Sequence, residues 1–202
     1  ELGPDGGPAN ELAEDRFLEI WNLVFTQYFR TPGGELTDLP SRNVDTGAGL
    51  ERMLSVLAGS HSLYAADVLA DLVEEAQSVT GSSLGQSQLG DIALRLLADH
   101  TRTAAFLVSD GVVPSNEDRG YVLRRIIRRA VRFAYMLGVE QLVMPRMVER
   151  CADLMGDAYP DLAEDRDRVV DLITREEERF RSTLARGSKL LDTALDEVGE
   201  ER

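Results

Sequence analysis

Apolar side chains recur at helical spacing along most of this chain, and glycines punctuate the pattern. Leu50, Met53, Leu54 and Leu57 begin a 3.6-residue repeat that continues almost to the last residue. The spacing predicts helices over 50–58, 64–80, 88–110, 119–137, 140–156 and 167–198, with Gly59, Gly81, Gly111, Gly138 and Gly156 near their breaks. In the last, Val169, Ile173, Phe180, Leu184, Leu191, Leu195 and Val198 form a coiled-coil-like stripe, read as packing on its own domain rather than as a dimer seam. Before residue 50 the pattern changes. Residues 1–14 are rich in Gly and Pro and read as loop. Phe17 to Phe29 is rich in β-branched and aromatic residues and predicts a strand. Thr31-Pro32-Gly33-Gly34 predicts a turn into a second strand at Glu35–Leu39. A third short strand is expected at Asn43–Asp45, ended by Thr46-Gly47-Ala48-Gly49. The expected fold is therefore α+β: a small antiparallel β portion over 1–58 and a mainly α-helical domain over 59–202. No internal repeat or low-complexity tract interrupts this plan.

With 43% hydrophobic and 29% charged residues, the composition is that of a globular protein in water. No apolar run is long enough to span a membrane, and no membrane partner is expected. The first residues have neither the basic start nor the apolar stretch of a signal peptide, and no initiator Met, so an internal piece of a longer chain is expected. The single cysteine, Cys151, excludes an internal disulfide and fits a reducing, cytoplasmic setting. Its place in a helical pattern favours a core thiol over a nucleophile. With His61 and His100 as the only histidines, no metal site is expected, and zinc in particular cannot be given ordinary ligand spacing.

The net charge of −14 argues against general nucleic-acid binding, DNA included. Its distribution says more. From Arg119 to Val139 there are six arginines and no acid. On a helical wheel Arg124, Arg125, Arg128, Arg129 and Arg132 fall within an arc of about 140°. Val122, Leu123, Ile126, Ile127, Ala130, Val131 and Ala134 occupy the other side. Like charges at i,i+4 repel with no interleaved acid to relieve them. A phosphate-binding face is favoured over a merely solvated one.

A second constellation is Val44-Asp45-Thr46-Gly47-Ala48-Gly49-Leu50-Glu51-Arg52-Met53, a strand running through a glycine turn into a helix. Glycines let backbone and ligand approach closely. Asp45 can take up an ammonium group, and Arg52 can clamp a polyphosphate. By itself this is equally an ordinary β-to-α turn.

That segment resembles motif 3 of the class II aminoacyl-tRNA synthetases, in the form found in the alanyl-tRNA synthetases. Glu19-Ile20-Trp21-Asn22-Leu23-Val24-Phe25 resembles the substrate-site strand of that family. Ala98-Asp99-His100-Thr101-Arg102-Thr103 resembles the start of its tRNA-binding region. Gly111-Val112-Val113-Pro114-Ser115-Asn116-Glu117-Asp118-Arg119-Gly120-Tyr121-Val122-Leu123-Arg124-Arg125-Ile126-Ile127-Arg128-Arg129-Ala130 is the most specific of the four. They occur in the family's order. The resemblance implies that Asn22 and Val24 line an alanine pocket, that Asp45 pairs with the substrate α-amino group, and that Gly47 leaves room for the methyl group. It implies that Gly49 and Arg52 serve the ATP site, Arg52 as the catalytic phosphate clamp, with Mg²⁺ accompanying ATP. It further implies that the arginine helix meets the acceptor stem of tRNA-Ala, and that the loop carrying Asn116, Asp118 and Arg119 approaches the G3·U70 pair.

The chain departs from the family in places. Leu63-Tyr64-Ala65-Ala66-Asp67 stands where a polar Asn-Tyr-Asp element is usual, and Asp118 stands where many members have Asn. Nothing here corresponds to motifs 1 and 2, to the zinc-bearing editing domain or to the C-terminal domain. The expected function is alanine–tRNA ligation as part of a longer enzyme, this chain alone being inactive in adenylate formation. The alternatives are a non-catalytic RNA-binding relative and a helical protein-interaction domain.

Overall fold

The computed structural model describes residues 18–200. The loop expected over 1–14 and the first residue of the expected strand, Phe17, lie outside the described residues. The chain divides into two compact units, one up to Asp67 and one from Val68 onward.

The first unit is a hairpin, a helix and a short 3₁₀ turn. Strands β1 (Trp21–Arg30) and β2 (Leu36–Ala48) pair antiparallel. Their turn is closed by Gly34 N–H donating to Thr31 O at 2.9 Å and Thr31 N–H to Glu35 O at 2.9 Å. Gly34 sits at φ 88, where a side chain would be strained. The structure has two strands here where the sequence predicts three. The expected second and third strands are one element, interrupted in register between Thr26↔Asn43 and Tyr28↔Asp38. Pro40 lies in the part of β2 that slips, and it has no N–H to give the ladder. Helix α1 (Leu50–Leu57) follows, and Ser62 caps the 3₁₀ turn Leu63–Ala65 by accepting from Tyr64 N–H at 3.3 Å.

The second unit is helical: α2 (Asp67–Thr80), α3 (Gln88–Ser109), α4 (Asp118–Met136), α5 (Met144–Met155), α6 (Pro160–Glu164) and α7 (Arg166–Glu200). The departures from the predicted bounds have local causes. Asp67 takes φ 48, and the helix expected from residue 64 begins only there. Pro145 and Pro160 sit in the first turns of α5 and α6, where a missing N–H costs nothing. The first delays the helix expected from residue 140, and the second creates a helix the periodicity misses.

Helix α3 packs against α4, α5, α6 and α7. Its buried face includes Ala93, Leu94, Leu97, Ala98, Ala104, Ala105 and Val108, and the small residues let neighbouring helices come close. From α4, Leu123, Ile127, Ala130, Val131 and Ala134 are buried as the wheel predicts, whereas Val122 is exposed. Cys151 is a core thiol: it is fully buried, and burial pushes its pKa up to about 11. Along α7 the apolar stripe divides. Val169 and Ile173 are buried, but Leu191 and Leu195 are exposed. The side chain of Val198 lies outside the described ones.

A carboxylate anchors the start of α5. Glu177 of α7 is fully buried. It accepts from Val143 N–H at 3.1 Å, Met144 N–H at 2.9 Å and Arg181 Nε at 2.8 Å. Arg181 Nη1 also donates to Val139 O at 2.8 Å and to Glu140 O at 3.2 Å. Helix-start amides without intrahelical partners are thus satisfied by a charge from another helix.

Candidate functional site

The hairpin register brings four of the sequence-predicted site residues together. Asn22 stands opposite Gly47, and Val24 opposite Asp45. Side chains two apart on a strand share a face, and directly opposed pairs share it too. Asn22, Val24, Asp45 and Gly47 therefore occupy one face of the hairpin. The other carries Trp21, Leu23, Phe25, Val44 and Thr46, with Trp21 Nε1 hydrogen-bonded to Thr46 Oγ1.

The two glycines do different things here. A Cβ on Gly47 would lie 3.3 Å from Asn22 Oδ1, so any side chain would press on Asn22. A Cβ on Gly49 would meet Arg52 Cδ at 3.0 Å. Gly49 thereby lets Arg52 fold back, and Arg52 Nη1 donates to Glu19 O at 2.7 Å. Glu19 Oε1 also accepts from Asn22 Nδ2 at 3.4 Å. Glu19 is a member of the site that sequence reasoning left without a role, although it lies in the matching segment. Asp45 is exposed; its Oδ1 accepts from Thr46 N–H at 2.9 Å. Among the described residues no cation stands within ion-pair distance of it. It can still receive an ammonium group.

In the helical unit, the loop before α4 is folded onto the start of that helix. Ser115 N–H donates to Gly120 O at 3.1 Å, and Ser115 Oγ donates to Glu117 O at 2.8 Å. A Cβ on Gly120 would overlap Val113 O and Ser115 Oγ. Gly120 is thus a second residue missed, legible only once the loop is seen lying over it. Asp118 takes φ 49 at the helix start, a conformation Asn and Asp tolerate better than most. Asn116, Asp118 and Arg119 are all exposed. Asn116 Oδ1 accepts from Arg124 Nη1.

The five helix arginines are not equivalent. Arg125, Arg129 and Arg132 are exposed, with Arg125 over the Tyr121 ring at 5.8 Å. Arg124 and Arg128 are partly buried against α7. Arg128 Nε donates to Glu176 Oε1 at 2.6 Å and its guanidinium lies 5.1 Å from the Phe180 ring centroid. Arg124 Nε is 3.8 Å from the same oxygen. The stretch from Arg119 to Val139 has no acid to relieve this charge; α7, distant in sequence, supplies one.

The segment Ala98–Thr103 lies inside α3. Asp99 Oδ2 is 2.9 Å from His100 Nδ1. That hydrogen bond holds the Asp99 carboxyl below the usual range, against the opposing effect of burial, and the charges of Arg102 and Arg129 add to it. Among the described residues no group of three or more His, Cys, Asp or Glu is placed to hold a metal ion.

Residues 3–202 match the family described as tRNA synthetases class II (A). Among similar proteins, an alanine–tRNA ligase of Salinispora tropica is 47% identical over 98% of this chain and 24% of its own length. Those of Nitrosomonas europaea and Polaromonas naphthalenivorans are each 49% identical over 96% of the chain, and 22% and 21% of their own lengths. The chain spans less than a quarter of the curated relatives it matches. On the family match over nearly its full length, with the hairpin and arginine helix in place, the chain belongs to the class II (A) tRNA synthetases.

Proposed function

We propose that this chain is part of an alanine–tRNA ligase, contributing one side of the alanine and ATP site and the surface that docks the tRNA acceptor stem. The observation that carries this reading is the register: Asn22, Val24, Asp45 and Gly47 share one hairpin face, directly ahead of the turn that leads to Arg52. Asn22, Val24 and Gly47 bound a small pocket, and the Asp45 carboxylate receives the alanine ammonium group. Gly49 gives Arg52 space over the strand-to-helix turn, and Arg52 exchanges its carbonyl partner for ATP phosphate oxygens. Mg²⁺ enters with ATP and supplies charge neutralisation on its phosphates. These residues position and polarise rather than exchange protons, which suits adenylate formation. Helix α4 supplies the RNA surface in the same scheme. Exposed Arg119, Arg125, Arg129 and Arg132 contact phosphates, while Arg124 and Arg128 reach them only in part. Asn116 and Asp118 approach base edges in the shallow minor groove of the stem. By their names the ligases described above act on alanine and tRNA, and a cytoplasmic setting is part of the same proposal.

Alanine-dependent ATP–pyrophosphate exchange by the intact enzyme tests the reading. Asp45→Asn raises the alanine KM while that of ATP holds, because a charge-assisted contact is worth about 1.5–3 kcal/mol. An unaltered alanine dependence removes Asp45 from the pocket.

A further inference from the structure

Glu176 lies in the Arg-Glu-Glu-Glu-Arg run of α7. In the fold its side chain is 5% exposed and faces the arginine helix. One oxygen, Oε1, holds Arg128 Nε at 2.6 Å and stands 3.8 Å from Arg124 Nε. Arg124 in turn reaches the loop and donates through Nη1 to Asn116 Oδ1. A buried carboxylate on α7, a half-buried guanidinium on α4 and an exposed amide in the loop therefore form one chain of contacts.

The chemistry of that chain fixes which end of Asn116 faces outward. Guanidinium has only donors, so it can meet the amide only through the carbonyl oxygen. With Oδ1 occupied, the amide presents its NH₂ group to a ligand. Glu176 keeps Arg124 from turning into solvent, where a long side chain has many competing rotamers.

We propose that Glu176 is a positioning residue for acceptor-stem recognition: through Arg124 it presets the Asn116 amide to donate to acceptor atoms at a base-pair edge. This rests on the reading that the Asn116 loop meets the acceptor stem. Glu176 touches no substrate and no RNA. Its charge also draws Arg128 inward, so that helix α4 offers phosphates fewer free cations than its sequence suggests.

The test is aminoacylation by the intact enzyme of tRNA-Ala carrying G3·U70 or G3·C70, read as the ratio of kcat/KM. The variants are Glu176→Ala, Glu176→Gln, Asn116→Ala and the double variant Glu176→Ala with Asn116→Ala. Thermal unfolding confirms which of them are folded. Glu176→Ala lowers the ratio about tenfold, and Glu176→Gln, which keeps the shape without the charge for two guanidiniums, lowers it less. In the Asn116→Ala background, removing Glu176 changes the ratio no further. A ratio that stays at the wild-type value in both Glu176 variants overturns the proposal, as does an equal loss on both tRNAs. If Glu176→Ala does not fold, Glu176→Gln decides alone by the same criterion. If Asn116→Ala itself leaves the ratio unchanged, the loop is not the reader, and the docking reading falls together with the proposal. A ratio that falls with Asn116→Ala but not with either Glu176 variant removes the proposal alone.

Discussion

Leu72, Leu94, Leu97, Leu123, Ile127 and Ile173 of the helical unit have no exposed surface, while Trp21, Leu23, Phe25 and Val44 of the hairpin are 57%, 61%, 67% and 55% exposed. The two units hold their folds by different means. The helical unit encloses its own core, and each large apolar side chain buried there stabilises it by roughly 1.5–3 kcal/mol. The hairpin is ordered by strand pairing and a glycine turn, and a two-stranded ribbon with both faces in water is marginal. Packing in one unit and register in the other also divide the chemistry. The hairpin places the candidate residues Asn22, Val24, Asp45 and Gly47 by pairing them across its strands, whereas the bundle places arginines by burying the opposite side of their helix.

Glu177 offers the strongest means of separating the two. Replacing it with Ala leaves Arg181 charged in a buried setting and strands the amides of Val143 and Met144. The expected loss is about 3–5 kcal/mol, the range for breaking a buried pair from one side. Far-UV dichroism in urea follows the helices, and Trp21, the only tryptophan, reports the hairpin by fluorescence. The dichroism midpoint should fall while the fluorescence midpoint stays. If both move together, the units unfold as one and the contrast between them is wrong.

The next largest effect belongs to the hairpin unit and concerns activity rather than stability. Arg52 is exposed and its one hydrogen bond among the described residues goes to a backbone carbonyl. Arg52→Gln should lower kcat for alanine activation in the intact enzyme by about 10²–10³, as loss of a preorganised donor does elsewhere. Neither unfolding midpoint should change. Unaltered activation would mean that the guanidinium serves only to tie α1 to Glu19, ahead of β1.

How legible each unit was follows from the same contrast. Helices and their breaks were readable because burial on one side imposes a local period, and glycines mark the ends. The Asn22–Gly47 and Val24–Asp45 pairs were not readable from spacing, because the bulge between Thr26 and Tyr28 offsets any register counted from the turn. The strands expected at Glu35–Leu39 and Asn43–Asp45 are one element, which passes through Pro40 where the register shifts. The glycine turn marked Asp45 and Arg52 as candidates and the resemblance gave them roles; the fold supplied their neighbours, Glu19 among them. Helix α4 revealed its arginines but not their inequality. Glu176 lies 48 residues from Arg128 in sequence, and nothing local to either predicts the contact. Gly120 was equally opaque, since only the folded-back loop excludes a side chain there.

The smallest effect sharpens the comparison from the helical side. Asp99 pairs with His100 within α3, and the charges of Arg102 and Arg129 reach it from the same unit. Its carboxyl is held below the ordinary value, chiefly by the His100 hydrogen bond, with burial acting the other way. A group with a depressed folded pKa stabilises the fold fully above its unfolded pKa, near 3.9, and loses that contribution as pH falls through the folded value. The side chain is 43% exposed, so solvent screens the interaction and its worth at neutral pH is under about 1 kcal/mol. Asp99→Asn should therefore lower the dichroism midpoint slightly at neutral pH. On acidification below about pH 4, the wild-type midpoint should fall more steeply, and the two curves should converge. The Trp21 signal should not distinguish the variants at any pH. Parallel dichroism curves would mean that the Asp99–His100 contact adds nothing to the helical unit.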